Sequence, residues 1–504
     1  MLAILKSCTI SGYQGVLTQV EVDVTRGFPH FDIVGLADTA VKESRERVRA
    51  ALGNNGFKLP ADRITVNLAP AAIQKHGPVL DVPIALGILA ASGQIPASPR
   101  LLDTVVVGEL SLEGKIRPVR GVLSMAITAR KNGLSVMVVP RENAAEAAAI
   151  KQLTVIPAST LRELVAWCLG REIEPAQARQ EHSPDYSACV DLAEVKGQQA
   201  AKRALEVAAA GGHNILMIGP PGSGKTMLAN CIPGLMPPLT DAQALEVSQL
   251  YSVAGLLRHG RLITAPPFRN PHHSASLAGI VGGGSVPRPG EISLAHHGVL
   301  FLDEFPEFRR EVIEVLRQPM EEGWITIARA RASYRFPARF LLAAAANPCP
   351  CGYYGVDGGI CTCTPGQVAK YRSKLSGPIL DRIDIWADVP AVSFEKLRQR
   401  QQAETSAVVR QRVLAARERQ RRRLGNKLNA DMDNRQVAQH CTLDSASEEL
   451  LARAFTRLRL SARAYQRVLK VARTIADLAG REKIASEDVA EALSYRSMEG
   501  DDFY

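Results

Sequence analysis

The sequence predicts an α/β protein built as an α+β module, a mostly parallel α/β sheet and a helical end. Three observations carry that expectation. Short apolar strands alternate with helical segments mid-chain: "NILMIG" (214–219), "GVLFLDE" (298–304), "FLLAAAAN" (340–347) and "IDIWADV" (383–389). That rhythm belongs to a parallel sheet with crossover helices. The first 170 residues mix period-two segments with helices, and from about Phe394 the chain reads as helix without a convincing strand.

Taken in order, "VLTQVEVDV" (16–24) alternates apolar and polar residues as a half-buried strand should. "TAVKESRERVRAALGNNG" (39–56) reads as a helix closed by an Asn-Gly stop. "ITVNLAP" (64–70), "TVVVG" (104–108) and "SVMVVP" (135–140) are further short strands. "REIEPAQARQEHSPDYS" (171–187) is polar and unpatterned, a linker. The expected divisions are 1–170, a linker 171–188, a core 189–393 and a helical part 394–504.

Composition narrows the class. With 504 residues, 46% hydrophobic and 22% charged, the chain is an ordinary globular protein able to bury a core. A net charge of +10 favours a polyanionic partner, while 5% aromatics do not advertise a base-stacking platform. "PIALGILAA" (83–91) is too short to span a bilayer, and "MLAILKSCTI" does not read as a signal peptide. Nine cysteines without secretion imply free thiols or metal ligands in a reducing cytoplasm.

"GPPGSGKT" spans Gly219, Pro220, Pro221, Gly222, Ser223, Gly224, Lys225 and Thr226, between a strand and a helix. This G-x-x-x-x-G-K-[ST] pattern lets backbone N–H groups curl around phosphates, with Lys225 reaching the β- and γ-phosphates and Thr226 ligating Mg²⁺. ATP and Mg²⁺ are the expected cofactors. "GVLFLDEF" delivers Asp303 and Glu304 to the carboxyl end of the sheet. Asp303 suits the Mg²⁺ shell, and Glu304 can orient or deprotonate water. Asn347 ends another strand, where it either positions the same water or serves as a turn residue before Pro348.

With those motifs in place, the chain resembles the ComM/YifB family, magnesium-chelatase-related AAA+ ATPases with an N-terminal Lon-protease-like domain. The likeness runs through "GFPHFDIVGLADTAVKESRERVRAAL" (27–52), "FRNPHHSASLAGIVGGGSVPRPGEISLAHHGVLFLDEF" (268–305), "NPCPCGYYG" (347–355), "LSGPILDRIDI" (375–385) and "LSARAYQRVLKVARTIADL" (460–478). It implies an AAA+ P-loop core with a helical lid of the magnesium-chelatase C-terminal type, assembled as a ring, expected to be a hexamer. Arg382 is then similar to an arginine finger, with a salt bridge to Asp381 or Asp384 as its local alternative. Arg463 resembles the lid arginine of the second sensor, and Arg467, one turn on, is its rival. Segments 240–297 and 324–340 resemble the helix-2 insertion and the hairpin before the first sensor. They carry Arg269, His272, His273, Arg288, Arg329, Arg331 and Arg335, residue types that contact a sugar-phosphate backbone. His296 and His297 read instead as hydrogen-bonded loop and core histidines.

"GELSLEGKIRPVRGVLSMAITARKNGLSVMVVPRENAAEA" (108–147) resembles the Lon-type fold. Peptide hydrolysis there needs a serine and a lysine. "QKHGPVLDVPIAL" (74–86) holds no serine or threonine around the expected nucleophile, and Leu123 stands at the lysine position, so a proteolytically dead domain is expected.

Two features stay open at this stage. "RQRVLAARERQRRRLGNKLN" (410–429) holds eight Lys or Arg and one Glu, either a solvated face or a phosphate-tracking surface. Cys349, Cys351, Cys361 and Cys363, in two C-x-C pairs, suffice for a closed structural zinc site; buried free thiols and a redox pair are the alternatives. The resemblance implies a DNA motor for branch migration or unwinding during natural transformation and recombination, acting on single-stranded and branched DNA. An ATP-dependent protein or chelatase-type remodeller is the competing expectation.

Overall fold

The computed structural model describes residues 1–96, 99–177, 184–187, 189–257, 260–284, 287–328, 333–356, 360–375, 377–394, 403–458 and 460–496. Arg329 and Arg331, part of the linker, and the start of the helical part after Phe394 fall outside those residues.

The N-terminal unit is a seven-stranded mixed sheet. Its elements are β1 (Leu2–Ser11), β2 (Gln14–Thr25), β3 (His30–Val34), α1 (Thr39–Asn54), β4 (Arg63–Ala69), α2 (Asp81–Ala91), β5 (Thr104–Val106), α3 (Val122–Lys131), β6 (Val136–Pro140) and β7 (Thr154–Ala158). Strand order is β3-β4-β2-β1-β5-β6-β7. β2 pairs antiparallel with β1 and β4, and the remaining pairs are parallel. The alternation in β2 points Val20 and Val22 into the core. α2, "DVPIALGILAA", is apolar on all sides, and every residue of it is buried, as that composition requires. Its one carboxylate, Asp81, accepts hydrogen bonds from Arg47 Nε (2.7 Å), Leu110 N (3.2 Å) and Ser44.

The second unit begins with α4 (Gln199–Gly211), β8 (Ile215–Ile218), α5 (Lys225–Leu235), α6 (Asp241–Ala254) and β9 (Phe268–Arg269). It continues through β10 (Val299–Leu302), α7 (Arg317–Glu322), the hairpin β11 (Trp324–Ala328) and β12 (Ser333–Pro337), β13 (Leu341–Ala346), α8 (Pro365–Arg372) and β14 (Ile385–Asp388). The five-stranded sheet has the order β9-β10-β13-β8-β14, all parallel. The carboxyl ends of β8, β13 and β10 therefore lie side by side, where an open parallel sheet binds ligands.

The helical end, α9 (Ser406–Leu424), α10 (Ala462–Leu478) and α11 (Ser486–Ser494), shares one hydrophobic core with α4, α5 and the sheet. Gln420 donates to Ala210 O at 3.1 Å and Trp386 N to Tyr495 O at 3.0 Å, tying lid to core.

A seam joins the two units. Gly121 N donates to Ser252 O at 3.2 Å, and the Ser252 hydroxyl donates to the buried Glu146 carboxylate. The rings of Tyr13 and Phe336 lie 6.2 Å apart across it. A cavity of about 870 Å³ opens along this seam, with Gln74, His76 and Arg120 on one wall and Val253, Arg288 and Tyr334 on the other.

Candidate nucleotide site

The turn between β8 and α5 is the phosphate loop expected from the sequence. Gly222 and Gly224 take φ of +74° and +93°, a left-handed backbone that glycine adopts without strain. Gly224 caps α5 without a side-chain acceptor. The helix's first N–H groups are thus left to a ligand, which makes this N-terminus an anion cradle. Ser223 is buried beneath the loop.

Lys225 Nζ donates to Gly219 O (2.8 Å), Pro220 O (2.8 Å) and Asn347 Oδ1 (3.1 Å). Burial lowers its pKa, opposed by the charges of Asp303 and Glu304. An ammonium held only by neutral oxygens retains its full charge for a phosphate. Thr226 Oγ1 donates to Asp303 Oδ2 at 2.7 Å, so the two oxygens suited to Mg²⁺ already stand together. Both donor sets fit ATP with Mg²⁺.

Glu304 follows at φ +51°, a left-handed conformation uncommon outside glycine. Such strain clusters at functional sites. Its Oε2 lies 3.2 Å from His273 Nδ1. His273 stacks on His272 at 4.1 Å and meets Phe308 edge-on at 6.4 Å. Grouping His273 with the residues aimed at a nucleic-acid backbone missed this placement. The parallel register explains it: Arg269 lies opposite Leu300, so His273 and Glu304 each sit four residues beyond a paired position. Sequence spacing alone does not reveal that register.

The structure thus unites Lys225, Thr226, Asp303, Glu304 and Asn347, and leaves the three arginines elsewhere. Arg382 pairs with Glu321 of α7 and donates to Pro378 O, so neither Asp381 nor Asp384 is its partner. Arg467 is the residue that pairs with the buried Asp384. Against the burial that would raise it, Arg467 and His213 hold the Asp384 carboxyl below the usual carboxylate range. Arg463 is 69% exposed, with Asp381 4.0 Å away.

The arginines expected on nucleic acid divide as well. Arg269 is committed to a two-pronged ion pair with Glu291 (2.6 and 2.7 Å). His272 is exposed, its Nδ1 2.8 Å from Ser274 Oγ. Arg335 is exposed over the Trp324 ring, and Arg288 is exposed with Arg120 as its charged neighbour. The basic stretch of the lid mostly faces its own protein. Arg412 pairs with Glu206 and Glu404, Arg417 donates to Ala209 O, Arg419 to Asp477 O, and Arg423 to Asp477 and Asn429. Arg421 and Arg422 stay on the surface beside Glu418. The guanidinium groups of Arg412, Arg417 and Arg423 thus fasten the lid, while Arg419, Arg421, Arg422 and Lys427 are exposed.

In the cysteine loop, Cys349 Sγ lies 3.3 Å from Cys351 Sγ and 3.8 Å from Cys361 Sγ, with 3.6 Å between the latter two. All four sulfurs, Cys363 included, fall within 4.8 Å of one another. Tetrahedral zinc at Zn–S of about 2.3 Å places its sulfurs about 3.8 Å apart, so the cluster fits a closed Cys₄ site. Backbone N–H groups of Tyr353 and Thr362 draw Cys351 down to about 5, and Tyr354 N–H points at Cys349 Sγ (3.4 Å). Glu246, His296 and His297 also converge. There, His296 Nδ1 accepts Arg339 N–H (3.0 Å), which leaves its proton on Nε2, facing Glu246. That arrangement is a hydrogen-bonded triad and not a ligand set.

In the N-terminal unit, Leu123 is buried, its N–H donated to Glu146 at 2.9 Å. Lys75 is buried with Nζ donated to Leu68 O and Pro70 O.

Parallel sheet, phosphate loop and paired acids define an AAA+ module of the magnesium-chelatase type. Family models agree: "Magnesium chelatase, subunit ChlI" matches residues 191–397, "Subunit ChlI of Mg-chelatase" 20–143, and "Magnesium chelatase, subunit ChlI C-terminal" 403–496. The chain is 46% identical to "Competence protein ComM" of Haemophilus influenzae, over 99% of this chain and 98% of that one. It is 45% identical to "Uncharacterized protein YifB" of Salmonella typhimurium, over 99% and 97%. A Lon protease of Rhizobium meliloti is 29% identical over 36% of this chain and 24% of its own. The chain belongs to the ComM/YifB family of magnesium-chelatase-related AAA+ proteins, with Lon-like similarity in its N-terminal region. The AAA+ module implies ATPase activity with ATP and Mg²⁺. Among the described residues no helix is long and apolar enough to cross a membrane.

Proposed function

We propose that the chain is an ATP-hydrolysing ring motor, a hexamer, that drives branch migration on single-stranded and branched DNA during integration of transforming DNA in the cytoplasm. One observation carries this reading. Lys225, Thr226, Asp303, Glu304 and Asn347 meet at three adjacent strand ends, in a chain similar over its whole length to a competence protein.

Bound ATP and Mg²⁺ supply the scissile phosphoanhydride and the Lewis acid. Backbone N–H groups from Gly222 to Thr226 and Lys225 Nζ hold the phosphates; Thr226 Oγ1 and Asp303 hold the metal. Asn347 orients the attacking water, and a Glu304 carboxylate oxygen accepts its proton. His273 holds Glu304 until substrate arrives. Arg382 serves the neighbouring subunit's site once released from Glu321, and Arg463 completes the site from the lid. The Cys₄ cluster holds structural zinc. Arg288, Arg335 and His272 remain as the exposed backbone contacts. The N-terminal unit, lacking the serine and lysine, is not a protease and serves assembly or partner contact.

The test is ATP turnover with and without single-stranded DNA, followed by strand displacement on a four-way junction. Stimulation and displacement are expected, both abolished by Lys225→Ala. An active ATPase that DNA leaves unchanged and that displaces no strand refutes the DNA motor and favours a protein remodeller.

A further inference from the structure

Resting on the nucleotide-site reading above, we propose that the Cys₄ loop, once closed by zinc, is the positioning element for the phosphate loop and Asn347, so that zinc occupancy sets nucleotide affinity.

The contact that carries this lies between Gly352 and Pro221. Gly352 sits one residue after Cys351 at φ +88°. A Cβ there would stand 2.4 Å from Pro221 Cδ and 2.6 Å from Pro221 Cγ. The backbone of the cysteine loop is thus the wall against which the phosphate loop rests. Upstream, Cys349 is two residues from Asn347, whose amide oxygen accepts Lys225 Nζ. Downstream, α8 returns Arg372, whose Nε donates to Pro348 O (3.4 Å) and whose guanidinium lies over the Tyr354 ring (5.0 Å). Lys374, just beyond α8, pairs at 2.9 Å with Glu307, three residues after Glu304. The loop therefore touches the ends of β8 and β13, and the segment just past α8 reaches the turn that follows β10.

Its own backbone holds it weakly. Gly352 N donates to Cys349 O at 3.0 Å in an isolated turn, and among the described residues from Pro348 to Cys363 there is no helix or strand to extend that bond into a ladder. Four sulfur–metal bonds would. Structural zinc contributes folding energy directly to the segment it closes. Without zinc, Pro221 loses a fixed wall and the loop's N–H groups lose their alignment, while the three hydrophobic cores, built elsewhere, stay intact.

Full-length protein is assayed for zinc, stripped with chelator, dialysed into excess Mg²⁺, and titrated with a fluorescent ADP analogue. One zinc per chain is expected. Stripping should weaken nucleotide binding tenfold or more at unchanged far-UV circular dichroism, and added zinc should restore it. Gly352→Ala provides an independent arm, since it leaves all four thiols in place. It should keep its zinc and still lose affinity several-fold, through displacement of Pro221. Absence of stoichiometric zinc overturns the proposal. So does zinc whose removal, like Gly352→Ala, leaves affinity within twofold. If zinc-loaded wild type binds no nucleotide, the nucleotide-site reading itself fails and takes this inference with it. That outcome is distinct from tight binding indifferent to zinc.

Discussion

The two sheets of this protein spend their polar residues in opposite ways. In the N-terminal unit the buried groups are closed on one another: Asp81 on Arg47, Ser44 and Leu110 N, and Lys75 on two carbonyls. In the second unit the same kinds of group are gathered at the carboxyl ends of three adjacent strands with capacity to spare. Lys225 is bound only by neutral oxygens, and α5 begins without a side-chain cap. A carboxylate satisfied by its own fold supports stability, whereas one left open to a ligand supports chemistry. The difference teaches that a shared α/β style says little about activity, which resides in where satisfaction stops.

Glu304→Gln tests that contrast most severely. It should lower ATP turnover by about 10²–10⁴-fold with nucleotide binding kept, as removal of a general base does. The matching change in the N-terminal unit, Asp81→Asn, should leave turnover per folded molecule unaltered but cost about 2–3 kcal/mol by removing the charged acceptor of Arg47, which keeps Ala40 O and has Glu43 3.8 Å away; urea unfolding reads that loss.

The triad behind β10 gives a pH-dependent comparison. Burial depresses His296 to about 4, and hydrogen bonds from His296 and His297 hold Glu246 well below the carboxylate range. Between pH 6.5 and 4 the unfolded chain binds the His296 proton and the folded chain does not, so this stability is present at neutral pH and lost as pH falls. The His296 contribution amounts to about 3 kcal/mol by pH 4. His296→Phe should flatten that slope in unfolding curves taken across the range. Ser252→Ala has the smallest expected effect. It removes one hydroxyl from the buried Glu146 and should cost about 1–2 kcal/mol, read as earlier thermal unfolding.

Local chemistry was legible in the sequence and partnership was not. Strands and the phosphate loop are encoded over a few residues, by apolar runs and by glycines where φ turns positive, so Ile215–Ile218, Val299–Leu302 and Gly219–Thr226 could be read directly. Four thiols close in sequence likewise announced a cluster. The pairing of His273 with Glu304 depends on the register of β9 against β10, and that register is a property of the sheet. The fate of arginines was illegible for a related reason. A basic run looks the same whether its guanidinium groups meet water, as Arg421 and Arg422 do, or a helix end, as Arg417 does at Ala209 O. Arg382 waited on Glu321, sixty-one residues earlier in the chain, for its observed partner.

The seam through Ser252 and Tyr13 bears on how force travels. Helix α6 and the hairpin β11–β12 are joined to the N-terminal unit. They cannot swing as light levers. A displacement of either must carry that mass along or shear the contacts that hold it. In the motor proposed above, the part that moves would then be a whole tier, with its stiffness set by the packing of the N-terminal unit.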